Sequence, residues 1–397
     1  MNPFYPLAST SWDHLEVAAI QKVIQTGMYT MGTNVSECEK SFANYLKSKY
    51  CVMVSSGSTA NLIMVAALFY RKDNPLKRGD EVIVPAVSWS TTYYPLYQYG
   101  LKLKFVDIDL ETLNFDLQKL ESAITDKTRL IMTVNLLGNP NEFNRINKII
   151  SGKNIELIED NCESMGAIYD GRQAGTFGSM GTFSSFFSHH ISTMEGGFVT
   201  TDDEELYHIL LCLRAHGWTR NLPKENKVTG IKSDNAFEES FKFVLPGYNV
   251  RPLEMSGAIG IEQIKKLENF VQVRRQNAEI FIKCFGNSSD LLIQKEIGQS
   301  SWFGFSFVIR PESTLNRAQL IASLTAAGVE CRPIVTGNFA KNEVIKWFDY
   351  EIFGDLKNAD QIDQHGFFVG NHHVPMKEPL SQLKSVMDLA IKYQRLS

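Results

Sequence analysis

Between about residue 50 and residue 200, short runs rich in β-branched and other apolar residues alternate with segments of helical period, the pattern of a parallel sheet wrapped by helices. The apolar runs predict strands over 50–55, 81–85, 102–107, 130–135, 155–160, 182–187 and 197–201. Between the first two, residues 59–71 place Ala60, Ile63, Met64, Ala67 and Leu68 on one helical face, which predicts a helix packed on the sheet. Acidic residues close several strands, as in Val106-Asp107-Ile108-Asp109 and Ile158-Glu159-Asp160. In open α/β sheets ligands bind at strand carboxyl ends, so these positions are the ones to search.

Residues 219–246 mix Pro, Gly and charge without periodicity and predict a long excursion near the site. A helical pattern over 259–284 predicts the exit from the first unit. Beyond it, 302–309 alternates like a strand, and 318–327 reads as a helix ended by Gly328. The expected organisation is a large domain over 10–260 and a smaller α+β domain over 261–397, the latter joined by the N-terminal segment 1–30.

A chain of 397 residues, 44% hydrophobic and 21% charged, can bury a large core. Net charge is −4 with no long basic run, so neither nucleic acid nor an anionic membrane surface is indicated. No apolar stretch is long enough to cross a bilayer and the first residues lack a signal-peptide pattern, which points to the cytoplasm. Cys38, Cys51, Cys162, Cys212, Cys284 and Cys331 are scattered without a CxxC pair. The adjacent pairs His189-His190 and His372-His373 lack metal-ligand spacing, so no metal is expected.

Candidate chemistry gathers at the strand ends. Ser55-Ser56-Gly57-Ser58-Thr59 precedes the first helix and can hold an anion on backbone N–H groups, although such a turn can also be a simple N-cap. Asp160 ends an apolar strand; Glu159, its competitor, should face the other side. Trp89 follows the second strand and can stack on a flat ring or fill the core, and Ser184 offers a further hydroxyl. An anion site, a deep carboxylate and an aromatic face are what a pyridoxal-type cofactor needs, together with a base. No lysine occurs between Lys153 and Lys224, and where a cofactor-binding amine would stand the sequence offers His189. An imidazole cannot tether an aldehyde cofactor; it can move protons.

These residues resemble the fold type I, pyridoxal 5′-phosphate (PLP)-dependent sugar aminotransferases that act on nucleotide-linked 4-ketosugars. The likeness spans nearly the whole chain: 27–32, 55–59, 81–85 with Trp89, 105–109, 136–140, 159–167, 194–197, 213–217 and 247–251. Aligned on Glu195-Gly196-Gly197, the family's cofactor lysine falls on His189, a departure similar to that of a 3-dehydratase branch in which histidine is the base. The resemblance implies an α/β, aspartate aminotransferase-like fold with a mostly parallel seven-stranded sheet. It also implies that Asp160 holds the pyridine nitrogen, Trp89 stacks, Gly57, Ser58 and Ser184 hold the phosphate, and Glu163 meets the ring hydroxyl. Asn249 would reach the phosphate in a neighbouring subunit, which implies a homodimer with shared sites. Met28, Tyr29, Arg220, Arg251 and Arg332 become candidate substrate contacts. The implied reaction uses pyridoxamine 5′-phosphate (PMP) to remove the C3 hydroxyl of a GDP-linked 4-keto-6-deoxyhexose of the manno series, releasing ammonia, with L-glutamate restoring the cofactor. Rival readings are a 4-aminotransferase, against which the missing lysine counts, an iron–sulfur-dependent 3-dehydrase, whose clustered cysteines are missing, and a non-catalytic module.

Overall fold

The computed structural model describes residues 3–396. The expected strands form as β1 (Tyr50–Val54), β2 (Glu81–Pro85), β3 (Lys102–Val106), β4 (Thr128–Val134) and β5 (Glu156–Asp160). After a short hairpin, β6 (Ile168–Tyr169) and β7 (Arg172–Gln173), come β8 (Met180–Ser184) and β9 (Gly197–Thr201). The large sheet runs β1-β9-β8-β5-β4-β2-β3-β14, where β14 is Tyr350–Ile352. Strand β9 is antiparallel to both its neighbours and the other pairings are parallel, so the carboxyl ends of β2, β4, β5 and β8 share one edge.

Two expectations need correction. The sheet has eight strands rather than seven, because the C-terminal region lends β14, a three-residue and largely exposed edge strand too short to show a period. Strand β8 stops at Ser184 instead of running to 187. There the chain turns back on itself, with Ser185 N–H donating to the Gly196 carbonyl (3.0 Å) and His189 N–H to that of Phe186 (2.9 Å).

The first helix of the sheet layer, Gly57–Tyr70, is capped by Ser56, whose hydroxyl accepts from Thr59 N–H. Its expected face is buried, and so are Val65 and Ala66 on the opposite side, because the Glu204–Arg214 helix covers it from without. The 219–246 excursion holds a small hairpin, β10 (Glu225–Asn226) with β11 (Gly230–Ile231), and a single helical turn, Ala236–Glu239. The long helix is Glu254–Phe285. Its far end packs on an antiparallel sheet of β12 (Leu291–Ile293), β13 (Gly304–Ile309) and β15 (Gly366–Gly370), in a second core that also takes in Tyr5 and the Lys377–Leu396 helix.

The two cores meet at one tight crossing. Gly138 adopts φ +97°, and a Cβ there would sit 2.4 Å from the Trp302 backbone nitrogen. Ser301 and Phe303 N–H donate to the carbonyls of Gly138 and Leu137 at 2.9 and 3.0 Å. Only glycine suits both the dihedral and the approach. Gly138→Ala is therefore expected to cost about 2–4 kcal/mol in urea unfolding, a loss below about 0.5 kcal/mol being the contrary result.

Candidate active site

A cavity of about 550 Å³ opens at the carboxyl ends of β4, β5 and β8 and is closed from above by Arg332, Phe303 and Phe368. Of the residues singled out from sequence, Gly57, Ser58, Trp89, Asp160, Glu163, Ser184, His189 and Arg332 line it.

Asp160 is buried at the end of β5, and its carboxylate is fully oriented. One oxygen accepts from Asn61 Nδ2 (2.8 Å) and Thr92 Oγ1 (2.7 Å), the other from Cys162 N–H (3.2 Å). Asn61 is itself set by Thr182 Oγ1, which donates to its Oδ1 at 2.6 Å. Strand alternation turns Glu159 the other way, where it accepts from Gly175 and Gly178 N–H at 2.6 and 2.9 Å. Asn61 and Thr92 escaped the sequence reading. A polar residue at 61 inside the apolar helical run 57–70 was the available signal.

The turn 55–59 is both a cap and a cradle. Thr59 N–H is taken by Ser56, while the N–H groups of Gly57 and Ser58 fall in the first turn, where a helix offers no acceptor. A Cβ on Gly57 would lie 2.7 Å from Ser184 Cβ and 3.0 Å from Cys162 Sγ, so the residue keeps this anion pocket open. Trp89, 56% exposed, caps the Ser90–Gln98 helix and presents an uncovered indole to the cavity. The residues fit a phosphorylated pyridine: an N–H and hydroxyl cradle, a flat face, and an oriented carboxylate.

His189 stands on the turn after β8, edge-on to Phe186 and Phe303 with ring centroids 6.0 and 5.1 Å away. Its Nδ1 is buried without a hydrogen-bond partner. Burial, helped by the positive charge of Arg274, lowers its pKa to about 4, so it rests as a free base. His190 points away, its Nε2 3.1 Å from the Ser301 carbonyl. Glu163 accepts from Leu137 N–H at 3.1 Å, and burial with the nearby charge of Asp160 raises it to about 7.

Five candidates lie outside this cavity. Met28 and Tyr29 are exposed just after the His14–Thr26 helix, Arg220 lies over Trp218 at 4.4 Å, and Arg251 Nε donates to Asn249 Oδ1 at 2.9 Å.

The chain belongs to the DegT/DnrJ/EryC1/StrS aminotransferase family, whose model matches residues 11–384. It is 64% identical over 384 residues to the GDP-4-keto-6-deoxy-D-mannose 3-dehydratase of Escherichia coli O55:H7, covering 96% of this chain and 99% of that one. A crystal structure of GDP-4-keto-6-deoxymannose-3-dehydratase with a trapped PLP-glutamate geminal diamine matches with a TM-score of 0.96 at 64% identity, over 96% of this chain and all of that one. A histidine-to-asparagine mutant of that enzyme with bound GDP-perosamine matches with a TM-score of 0.96 at 63% identity and the same coverage.

Asn61→Ala removes a donor from a buried carboxylate. It is expected to cost about 1–3 kcal/mol of stability and to weaken PLP binding, read by urea unfolding and by PLP fluorescence titration; unchanged PLP affinity would contradict the supporting role. The pH dependence of stability has a definite sign. His189, His372 and His373 drop to about 4, and His190 and His208 are also lowered, so on unfolding they take up protons between their folded values and about 6.5. Stability from these groups is present above about pH 6.5 and is lost as pH falls toward 4. Glu163 and Glu159, raised by burial, act in the opposite sense but are fewer. The cofactor-free protein should therefore show a Tm that rises from pH 4.5 to 6.5, and a flat or falling Tm would count against buried neutral histidines.

Proposed function

We propose that the protein is a PLP/PMP-dependent 3-dehydratase that removes the C3 hydroxyl of a GDP-linked 4-keto-6-deoxyhexose, GDP-4-keto-6-deoxy-D-mannose being the substrate its similarity to the dehydratases supports. The observation that carries the reading is His189 in the cavity with the cradle residues and Asp160, at the position where the resemblance to the aminotransferases implies a lysine. When bound as PMP, the cofactor supplies an amine for the C4 ketone and a protonated ring that draws off electrons. The balance closes: the sugar loses one oxygen, L-glutamate becomes 2-oxoglutarate by a two-electron oxidation, and ammonia is released.

The chain's own groups then have distinct tasks. Asp160 holds a proton on the ring nitrogen, its orientation fixed by Asn61, Thr92 and the Cys162 N–H. Gly57 and Ser58 N–H, with the Ser58 and Ser184 hydroxyls, hold the phosphate, and Trp89 covers the ring. Glu163 faces the ring hydroxyl. His189, resting neutral, accepts a proton beside the cofactor and can deliver it to the departing hydroxyl; such transfer contributes typically about 10²–10⁴ in rate. Arg332 enters from the C-terminal region as a contact for a carboxylate or diphosphate.

In this reading residues 10–260 hold the cofactor, and 261–397 with the segment 1–30 cover it. The active form is a homodimer in the cytoplasm. Phe237, Phe241 and Phe243, exposed on the excursion beside Arg220, support a second copy there. Met28, Tyr29, Arg220, Asn249 and Arg251, outside their own cavity, then serve the partner's site. The six free cysteines suit a reducing compartment. Among the described residues no helix is long and apolar enough to cross a membrane.

Incubated with PLP, L-glutamate and GDP-4-keto-6-deoxymannose, the protein should release ammonia stoichiometrically and yield a product one oxygen lighter; an aminosugar would instead identify an aminotransferase. His189→Asn should bind PLP with near-normal affinity and lose turnover by at least about 10²-fold. Unchanged turnover would remove His189 from the reaction.

A further inference from the structure

The long helix buries a cation that has no anion to meet it. Arg274 is 4% exposed, and among the described residues no carboxylate pairs with it. Its Nη1 donates to two backbone carbonyls, of Phe303 (3.1 Å) and Asn371 (2.5 Å), and its Nε is buried without an acceptor. An unpaired buried charge is costly, and an apolar side chain of similar volume would ordinarily serve stability better.

The place it occupies suggests what it does. Residues 300–303 form the short stretch that crosses between the two cores, and they are clamped from several sides. Arg275 Nε donates to the Ser300 carbonyl (2.9 Å), Asn371 Nδ2 to that of Trp302 (2.8 Å), and Phe303 N–H to Leu137 (3.0 Å). Arg274 closes the clamp at Phe303, whose ring meets His189 edge-on at 5.1 Å and His190 at 5.9 Å.

We propose that Arg274 is a positioning residue for His189: its guanidinium, donating to the Phe303 carbonyl, fixes the Phe303 ring edge-on to the imidazole and adds an unpaired positive charge to the same buried region. The inference rests on the proton-moving role of His189 given above.

The groups around His189 are few. Asp160, Cys162 and Glu163 face the cavity from the end of β5, Glu195 from the loop before β9, Arg332 from the C-terminal region, and His190 is its neighbour. Burial and Arg274 both work against a proton on His189, and the same cation acts on His190, His372 and His373.

The first readout needs no turnover. Diethyl pyrocarbonate acylates histidine only in its neutral form, so the pH dependence of His189 acylation, read by peptide mass spectrometry on the full-length protein with and without PLP, reports its protonation directly. In the wild type, half-protection should fall below about pH 5.5, and a midpoint at the ordinary value of about 6.5 would overturn the proposal. Arg274→Met should move the midpoint up by roughly one pH unit, carry the acid limb of kcat/KM with it, and lower kcat more than it changes KM. An unmoved midpoint in folded Arg274→Met would also overturn it. Should that variant not fold, Arg274→Lys, which keeps the charge, must retain the wild-type midpoint, and a shift to the ordinary value would sink the idea. A protein that passes these titrations yet fails to dehydrate the sugar would refute the functional reading and leave the electrostatic one standing.

Discussion

The organisation of the site depends on one buried carboxylate. Asp160 is 5% exposed on the cavity wall, and three donors from separate elements converge on it: Asn61 from the helix after β1, Thr92 from the helix after β2, and the backbone just past β5. Asn61 in turn is held by Thr182 of β8. Strands β1, β2, β5 and β8 therefore have their carboxyl-end geometry set by a single charge.

Much of this was legible in the sequence. The alternation of apolar runs and helical periods located β1–β5, β8 and β9 to within a few residues, because fully buried strands have the strongest signal. Strand alternation separated Asp160 from Glu159 correctly, and the gap in lysines pointed to His189. What escaped was whatever depends on distant chain. Strand β14 draws its pairing from β3 across more than two hundred residues and is too short to show a period of its own. Asn61 and Thr92 look like ordinary helical polar residues until Asp160 is placed beside them. The early end of β8 comes with the turn that returns Ser185 N–H to the Gly196 carbonyl, a contact no local pattern announces.

Replacing lysine by histidine changes how a cofactor can be retained as well as what the site can do. With no covalent tether, retention in the proposed reading falls to the cradle at Gly57 and Ser58, the indole of Trp89 and the oriented carboxylate. Each of these is present before any ligand arrives, which limits the ordering cost of binding. A ligand held only by such contacts stabilises the fold in proportion to its concentration over its Kd, so the protein's thermal stability becomes coupled to cofactor supply.

Strand β14 has a mechanical consequence. The C-terminal region is attached to the large sheet at separate places: through the continuous backbone of the Glu254–Phe285 helix, by the ladder of Tyr350–Ile352 on Leu103–Phe105, and at the Gly138 crossing. A body moored at several separated points cannot swing open like a door without tearing some of them. Traffic of a bulky sugar nucleotide must then rely on the side-chain rim and surface loops, and the roof bearing Arg332 and Phe303 behaves as a fixed ceiling.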